Sequence, residues 1–112
     1  MDKPTDRYHT SPENAKELLK YSNRKWFATV MQHGLVEVEI YIPDQIDLQT
    51  VHDRDELYVI IEGRGSFING DKTHSFEQGD VIFVPAGTDH RFEDFSDNFK
   101  TWVIFFGQKN IH

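Results

Sequence analysis

The chain contains no cysteine, which excludes disulfide bridges, a thiolate nucleophile and thiolate metal ligands. It also lacks any apolar run near the roughly 20 residues that a membrane-spanning helix needs, so no membrane partner is expected. Basic residues are outnumbered, 12 against 19 acidic residues, and the net charge of −7 disfavours nucleic acid as a partner. The polar segment Met1–Asp6 lacks the apolar core of a signal peptide. Together these absences predict a cytoplasmic protein.

Aromatic residues, in contrast, are abundant. Nine Phe, four Tyr and two Trp are present, and each ring can bury roughly 150–250 Å². Between Trp26 and Phe106, short segments rich in β-branched and aromatic residues alternate with glycine-containing turns. This pattern is typical of an antiparallel barrel or sandwich. Leu35–Ile42 shows the clearest alternation and predicts a half-buried strand, with its aliphatic residues on one face and its glutamates on the other.

The N-terminal region predicts a polar arm followed by a short helix. Ser11-Pro12-Glu13 combines a hydroxyl N-cap, a proline at the first helical position and an acid in the first turn. We therefore expect an arm over residues 1–10, a helix over 11–21, a barrel over about 24–107 and a tail over 108–112. A chain of 112 residues has the size of one domain.

A first polar segment links Thr50 and His52 to Glu56, which is followed after six residues by Gly63. A tight reversal at residues 53–55 would place the imidazole of His52 beside the carboxylate of Glu56. Those three intervening residues are interpreted as a solvated hairpin tip, with the alternative that Asp55, next to Glu56, joins a polar network. Along the strand that follows, Glu56 shares one face with every second residue, starting with Tyr58.

A second polar segment begins at Gly79 and continues, after five residues, with Pro85-Ala86-Gly87, His90 and Asp94. The two segments resemble the signature motifs of the cupin superfamily, G-x5-H-x-H-x3-4-E-x6-G and G-x5-P-x-G-x2-H-x3-N. The resemblance implies an all-β fold, the cupin double-stranded β-helix or jelly-roll barrel, with the short helix added at the N-terminus.

The resemblance also implies a metal site. In metal-binding cupins, two histidines and a glutamate of the first motif and the histidine of the second hold one metal. By position, the implied ligands here are His52, Glu56 and His90, and Thr50 stands where the first histidine would be. Two imidazoles and one carboxylate suit divalent Fe, Mn, Ni or Zn and leave open coordination positions. Asp94 replaces the usual asparagine and adds negative charge.

Further residues are expected to line the pocket, and they are Thr50, Tyr58, Phe92, Asp94 and Trp102. The main hypothesis is a small cupin that binds a divalent metal and binds or transforms a small organic molecule, with an oxygenase or isomerase among the reactions that the family admits. The alternative is a metal-free cupin that binds a sugar or other metabolite, because Thr50 removes one ligand. A third possibility is a structural dimer with a vestigial pocket. A homodimer is expected in each case, since small cupins commonly pair and open sheet edges need cover.

Overall fold

The computed structural model describes residues 8–47 and 49–107, which form a β-rich structure with a short N-terminal helix. Helix α1 (Pro12–Leu18) begins after Ser11, whose hydroxyl accepts a hydrogen bond from the Asn14 N–H, and a 3₁₀ turn (Leu19–Tyr21) continues it. No helix within the described ranges is long and apolar enough to cross a bilayer. Residues 1–7 of the predicted arm and the predicted tail, 108–112, lie outside the described residues.

Eight strands follow the helix and form two antiparallel sheets. The strands are β1 (Phe27–His33), β2 (Val36–Tyr41), β3 (Asp55–Glu62), β4 (Arg64–Asn69), β5 (Lys72–Glu77), β6 (Val81–Val84), β7 (His90–Glu93) and β8 (Lys100–Phe106). Five strands pair in the order β1-β2-β8-β3-β6, and three pair in the order β5-β4-β7. The predicted all-β class is confirmed. The described pairings give two sheets packed on each other rather than one continuous closed sheet.

Aromatic rings fill the space between the two sheets. Tyr58 of β3 meets Phe67 of β4 and Phe92 of β7 edge to face, with ring centroids 5.5 and 4.8 Å apart. All three side chains are at most 1% exposed. Burying a large apolar side chain stabilises a fold by about 1.5–3 kcal/mol, so this contact is a principal reason why the two sheets stay together.

Gly63, the last glycine of the first motif, lies where the chain passes from β3 in one sheet to β4 in the other. Its φ is +98°, a conformation that side chains with a Cβ rarely adopt. A Cβ at this position would lie 2.6 Å from Phe99 Cα and 2.8 Å from Ser96 Oγ. The crossing between the sheets therefore requires glycine for both its dihedral angle and its close approach.

Strand β2 alternates as predicted, but its second half is buried on both faces, whereas Val36 at its start is 43% exposed. Ile40, from the aliphatic face, is 0% exposed because that face packs beneath α1 against Ala15 and Leu18. On the other face Glu39 and Tyr41 are 3% and 0% exposed, and Tyr41 belongs to the core between the sheets. The second half of the strand is therefore more buried than predicted, because a covering helix leaves no trace in the alternation.

Candidate metal centre

The three residues predicted as metal ligands meet between the two sheets. His52 lies in the loop before β3, Glu56 is in β3, and His90 begins β7 in the other sheet. Glu56 Oε1 lies 3.0 Å from His52 Nδ1 and 2.9 Å from His90 Nε2. One ligand atom from each of the three residues lies within 4.8 Å of the others. The arrangement could hold a single metal ion.

The orientation of His90 fixes which of its nitrogens faces the centre. Its Nδ1 lies 2.8 Å from the carbonyl oxygen of Thr88, and only an N–H can donate to a carbonyl. In the neutral ring, Nε2 therefore carries a lone pair. His90 Nε2 and Glu56 Oε2 are both buried without a hydrogen-bond partner, since the 2.9 Å approach of Nε2 to Glu56 Oε1 lacks hydrogen-bond alignment. Leaving such atoms unsatisfied costs about 1–3 kcal/mol each, which a bound cation would offset.

The electrostatics of the centre also favour a cation. Burial has the largest single effect on Glu56 and raises its pKa, but the contacts with His52 and His90 together lower the pKa below its usual value. Glu56 is therefore an ionised carboxylate at neutral pH. Burial lowers the pKa of His90, but Glu56 and the Thr88 carbonyl raise it, and the net pKa lies above its usual value. The centre thus places a buried negative charge beside two imidazoles, and a metal would compete with a proton for the lone pair of His90 Nε2.

A cavity of about 520 Å³ lies on the His52 side of the centre, and His52 is the one candidate ligand that lines it. The His52 side chain is 27% exposed, whereas those of Glu56 and His90 are 1% exposed. Cavities of this size hold small organic molecules. The described residues therefore place a cavity of ligand size beside the most exposed of the three donor residues.

The floor of this cavity is Phe105, a residue that the sequence analysis did not single out. His52 meets its ring at 5.0 Å between centroids, and the Arg54 guanidinium lies 4.9 Å from the ring centroid. Arg54 Nη2 also lies 2.6 Å from Glu37 Oε1 on the inner face of β2. The interpretation of residues 53–55 as a solvated tip is therefore wrong for Arg54, whose side chain is 18% exposed. For Asp55 the alternative of a polar network fits better, because its carboxylate accepts a hydrogen bond from the Ala86 N–H at 2.8 Å.

Three of the other predicted pocket residues lie in or beside this region. Thr50 is exposed and lines the cavity next to His52. Tyr58 lies deeper, with its ring centroid 6.1 Å from that of His90. Phe92 is buried in the aromatic core between the sheets, against Tyr58. Thr50 thus lies in the exposed part of the site, and the rings of Tyr58 and Phe92 pack in the core behind the metal centre.

Asp94 and Trp102 are not brought to the centre. Strand β7 ends at Glu93, and Asp94 adopts a φ of +52°, so the alternation that would place it beside His90 is broken. Asp94 is exposed and lines a separate groove with Arg64. Trp102 packs in the cluster beneath α1, because its neighbours on β8 occupy the inner face. The expectation that these two residues line the pocket is therefore corrected.

Comparison with known proteins identifies the family. The cupin domain profile matches residues 37–104, more than half of the chain, and the chain belongs to this family. It is 32% identical to the acireductone dioxygenase of Gallus gallus over 111 residues, which cover 92% of this chain and 61% of that protein. An uncharacterised protein of Streptomyces coelicolor is 36% identical over 59 residues, 53% of this chain and 56% of that protein. The chain thus spans about 60% of the length of these curated relatives.

A solved structure shows the same fold. A cupin superfamily protein from Desulfitobacterium hafniense superposes with a TM-score of 0.66 at 20% identity, over 93% of this chain and 95% of that chain. At this identity the likeness concerns the fold alone. It confirms the resemblance drawn from the two motifs.

Proposed function

We propose that the chain binds one divalent transition metal through His52, Glu56 and His90, and binds or transforms a small organic molecule that enters the cavity beside His52. The observation that carries this proposal is the pair of buried, unpartnered atoms, His90 Nε2 and Glu56 Oε2. Two imidazoles and a carboxylate suit Fe, Mn, Ni or Zn. When bound, such an ion supplies Lewis acidity toward a substrate oxygen.

Three protein ligands would leave one open position on a four-coordinate Zn ion and up to three on a six-coordinate Fe, Mn or Ni ion. Oxygen-donor ligands could occupy these open positions.

Among the reactions open to such a site, we favour an oxygenase. The support is the likeness to acireductone dioxygenase, which extends over 92% of the chain. The chain's own residues would admit the substrate through the cavity and position it over Phe105, between His52 and Arg54. A metal-free cupin that binds a metabolite is the second candidate, and Thr50 favours it because a hydroxyl stands where the family places a fourth ligand. The homodimer and the cytoplasmic location stay predictions.

Metal titration tests the proposal. We expect the chelator-treated chain to bind one equivalent of Fe(II), Mn(II), Ni(II) or Zn(II) by calorimetry, and His90→Ala to weaken the affinity by about 100-fold or more. His74→Ala is the matched control, since His74 is an exposed histidine of β5. Because His90 is buried, circular dichroism must show that the variant folds. His52→Ala removes a ligand that is less buried and provides a second measurement.

The contradicting outcomes are specific. A wild-type chain that binds none of these metals would refute the metal centre and leave the metal-free candidate. Undiminished binding in both folded ligand variants would place the metal elsewhere. Equal losses in the ligand variants and in His74→Ala would show that the effect comes from histidine removal in general.

A further inference from the structure

Hydrogen bonds to a buried carboxylate hold the loop that carries His52 in place. Asp47, 7% exposed, lies between β2 and β3. Its Oδ1 accepts hydrogen bonds from the Tyr41 hydroxyl and, at 3.0 Å, from the Gln49 N–H. Its Oδ2 accepts from Gln49 Nε2 at 3.0 Å and from the Phe92 N–H at 2.8 Å. A carboxylate offers about four acceptor positions, and here all four are used.

The donors belong to the elements that present the metal ligands. Gln49 lies three residues before His52 in the same loop, and Phe92 lies two residues after His90 on β7. Gln49 Oε1 also accepts a hydrogen bond from the Tyr58 hydroxyl at 2.9 Å, two residues after Glu56 on β3. Asp47 and Gln49 thus connect the loop of His52, the strand of Glu56 and the strand of His90.

The hydrogen bond from Phe92 joins the loop between β2 and β3, two strands of the five-stranded sheet, to β7 of the three-stranded sheet. Strand β7 is at the edge of the three-stranded sheet and pairs only with β4 among the described strands. Its free side must find other acceptors for buried N–H groups. Asp47 supplies such an acceptor to the Phe92 N–H, two residues after His90 on the same strand. The carboxylate therefore fixes β7, and with it His90, relative to the loop that holds His52.

We infer that Asp47 is a positioning residue of the metal centre, acting through Gln49 and Phe92 on the separation of His52, Glu56 and His90. The inference rests on the proposed function for its effect on metal affinity, but the geometry on which it depends is present without metal. Groups that hold metal ligands in place commonly change metal affinity 10–100-fold when they are removed.

Asp47→Asn tests the inference with little change in volume. Asparagine keeps one carbonyl oxygen, and its NH₂ cannot accept a hydrogen bond from the backbone N–H that faces it, that of Gln49 on one side or of Phe92 on the other, so at least one of these hydrogen bonds is lost. We expect a folded variant with metal affinity about 10–100-fold weaker and an altered visible spectrum of the Co(II)-loaded protein. Asp80→Asn is the matched control. Its carboxylate accepts a hydrogen bond from the Glu77 N–H at 2.9 Å in a turn away from the centre, and both readouts should match the wild type.

A second readout keeps the inference separate from the proposed function. In the metal-free protein, the imidazole ¹⁵N resonances of His52 and His90 should move in Asp47→Asn and stay in place in Asp80→Asn. If the wild type binds no metal, the proposed function fails and these resonances alone decide the inference. Unchanged resonances in Asp47→Asn, or unchanged metal affinity where the wild type does bind, would overturn it. If Asp47→Asn does not fold, Gln49→Leu, which keeps the backbone N–H bond to Asp47, must show the same changes to a smaller extent, and their absence would overturn the inference.

Discussion

Replacing Glu56 by glutamine separates a site built for a cation from a buried hydrogen-bonding group. The side chain keeps its shape, but one oxygen becomes an NH₂ that can donate to the lone pair of His90 Nε2. That nitrogen and Glu56 Oε2 are the two buried atoms without partners. A bond from the new NH₂ would satisfy His90 Nε2 and return about 1–3 kcal/mol, and the remaining oxygen becomes a neutral carbonyl, which costs less to bury than a carboxylate. Together these gains offset the lost attraction between the carboxylate and the two imidazoles. We therefore expect metal-free Glu56→Gln at pH 8 to unfold within about 2 kcal/mol of the wild type.

The two proteins should differ sharply once metal is added. At a free metal concentration 100 times the dissociation constant, binding stabilises the folded wild type by about 2.7 kcal/mol. For a domain of this size, this corresponds to a rise of roughly 10 °C in the melting temperature. The neutral amide removes the buried negative charge that attracts the ion. We expect the same concentration to leave the melting temperature of Glu56→Gln unchanged within about 2 °C.

Differential scanning calorimetry with and without metal measures both the stability of the metal-free proteins and the metal-induced rise in melting temperature. Glu77→Gln, an exposed substitution on β5, serves as the control and should keep the full metal-induced rise. A preserved rise in Glu56→Gln would refute the assignment of Glu56 as a ligand. A loss of 3–5 kcal/mol without metal, the usual cost of breaking a buried ion pair, would show instead that the histidines alone compensate the charge.

Two further predictions concern the ligand set and its protons. Thr50→His should tighten Ni(II) binding at least 10-fold without changing metal-free stability, because Thr50 is exposed beside His52; unchanged affinity in a calorimetric titration would mean that position 50 does not face the ion. The pH dependence should have opposite signs with and without metal. The raised pKa of His90 gives stability that is complete below about 6.5 and is lost as pH rises through the folded pKa. The lowered pKa of Glu56 gives stability that is present above about 4.5 and is lost as pH falls through the folded pKa. In the metal-free protein, these two groups thus stabilise the fold most between about pH 4.5 and 6.5. With metal, the rise in melting temperature should grow from about pH 6 to 8 as His90 loses its proton. A rise that does not depend on pH would contradict the role of His90 as a ligand.

The convergence of His52, Glu56 and His90 could be predicted from the sequence because it depends on local spacing and on the period of a strand. The intervals from His52 to Glu56 and from Gly87 to His90 match the family motifs, and alternation correctly places Glu56 and Tyr58 on one face. Alternation defines two faces but not which of them is the interior. That is why Trp102 was assigned to the pocket, although the contacts of α1 place it on the outer face of its sheet.

The residues that the sequence did not reveal lie in irregular segments. Asp47 is in a loop without periodicity, and its partner Phe92 is 45 positions away along the chain. Arg54 lies in a charged segment whose composition is typical of a solvated turn. Its burial depends on its contact with Glu37, 17 positions earlier. Neither pairing leaves a local pattern, because both depend on how the two sheets come together.

The carboxylates around the centre support the proposal that it binds a cation. Glu37 is paired with Arg54, Glu39 is paired with Arg24, and Asp47 receives four hydrogen bonds. Among the described residues, Glu56 Oε2 is the only carboxylate oxygen that is fully buried and has no donor. A protein interior tolerates a buried charge only when it is paired, hydrogen-bonded or bound to a metal. Side chains and N–H groups of the protein compensate the charges of the neighbouring acids. Glu56 instead faces two imidazoles, where a bound positive ion would compensate its charge.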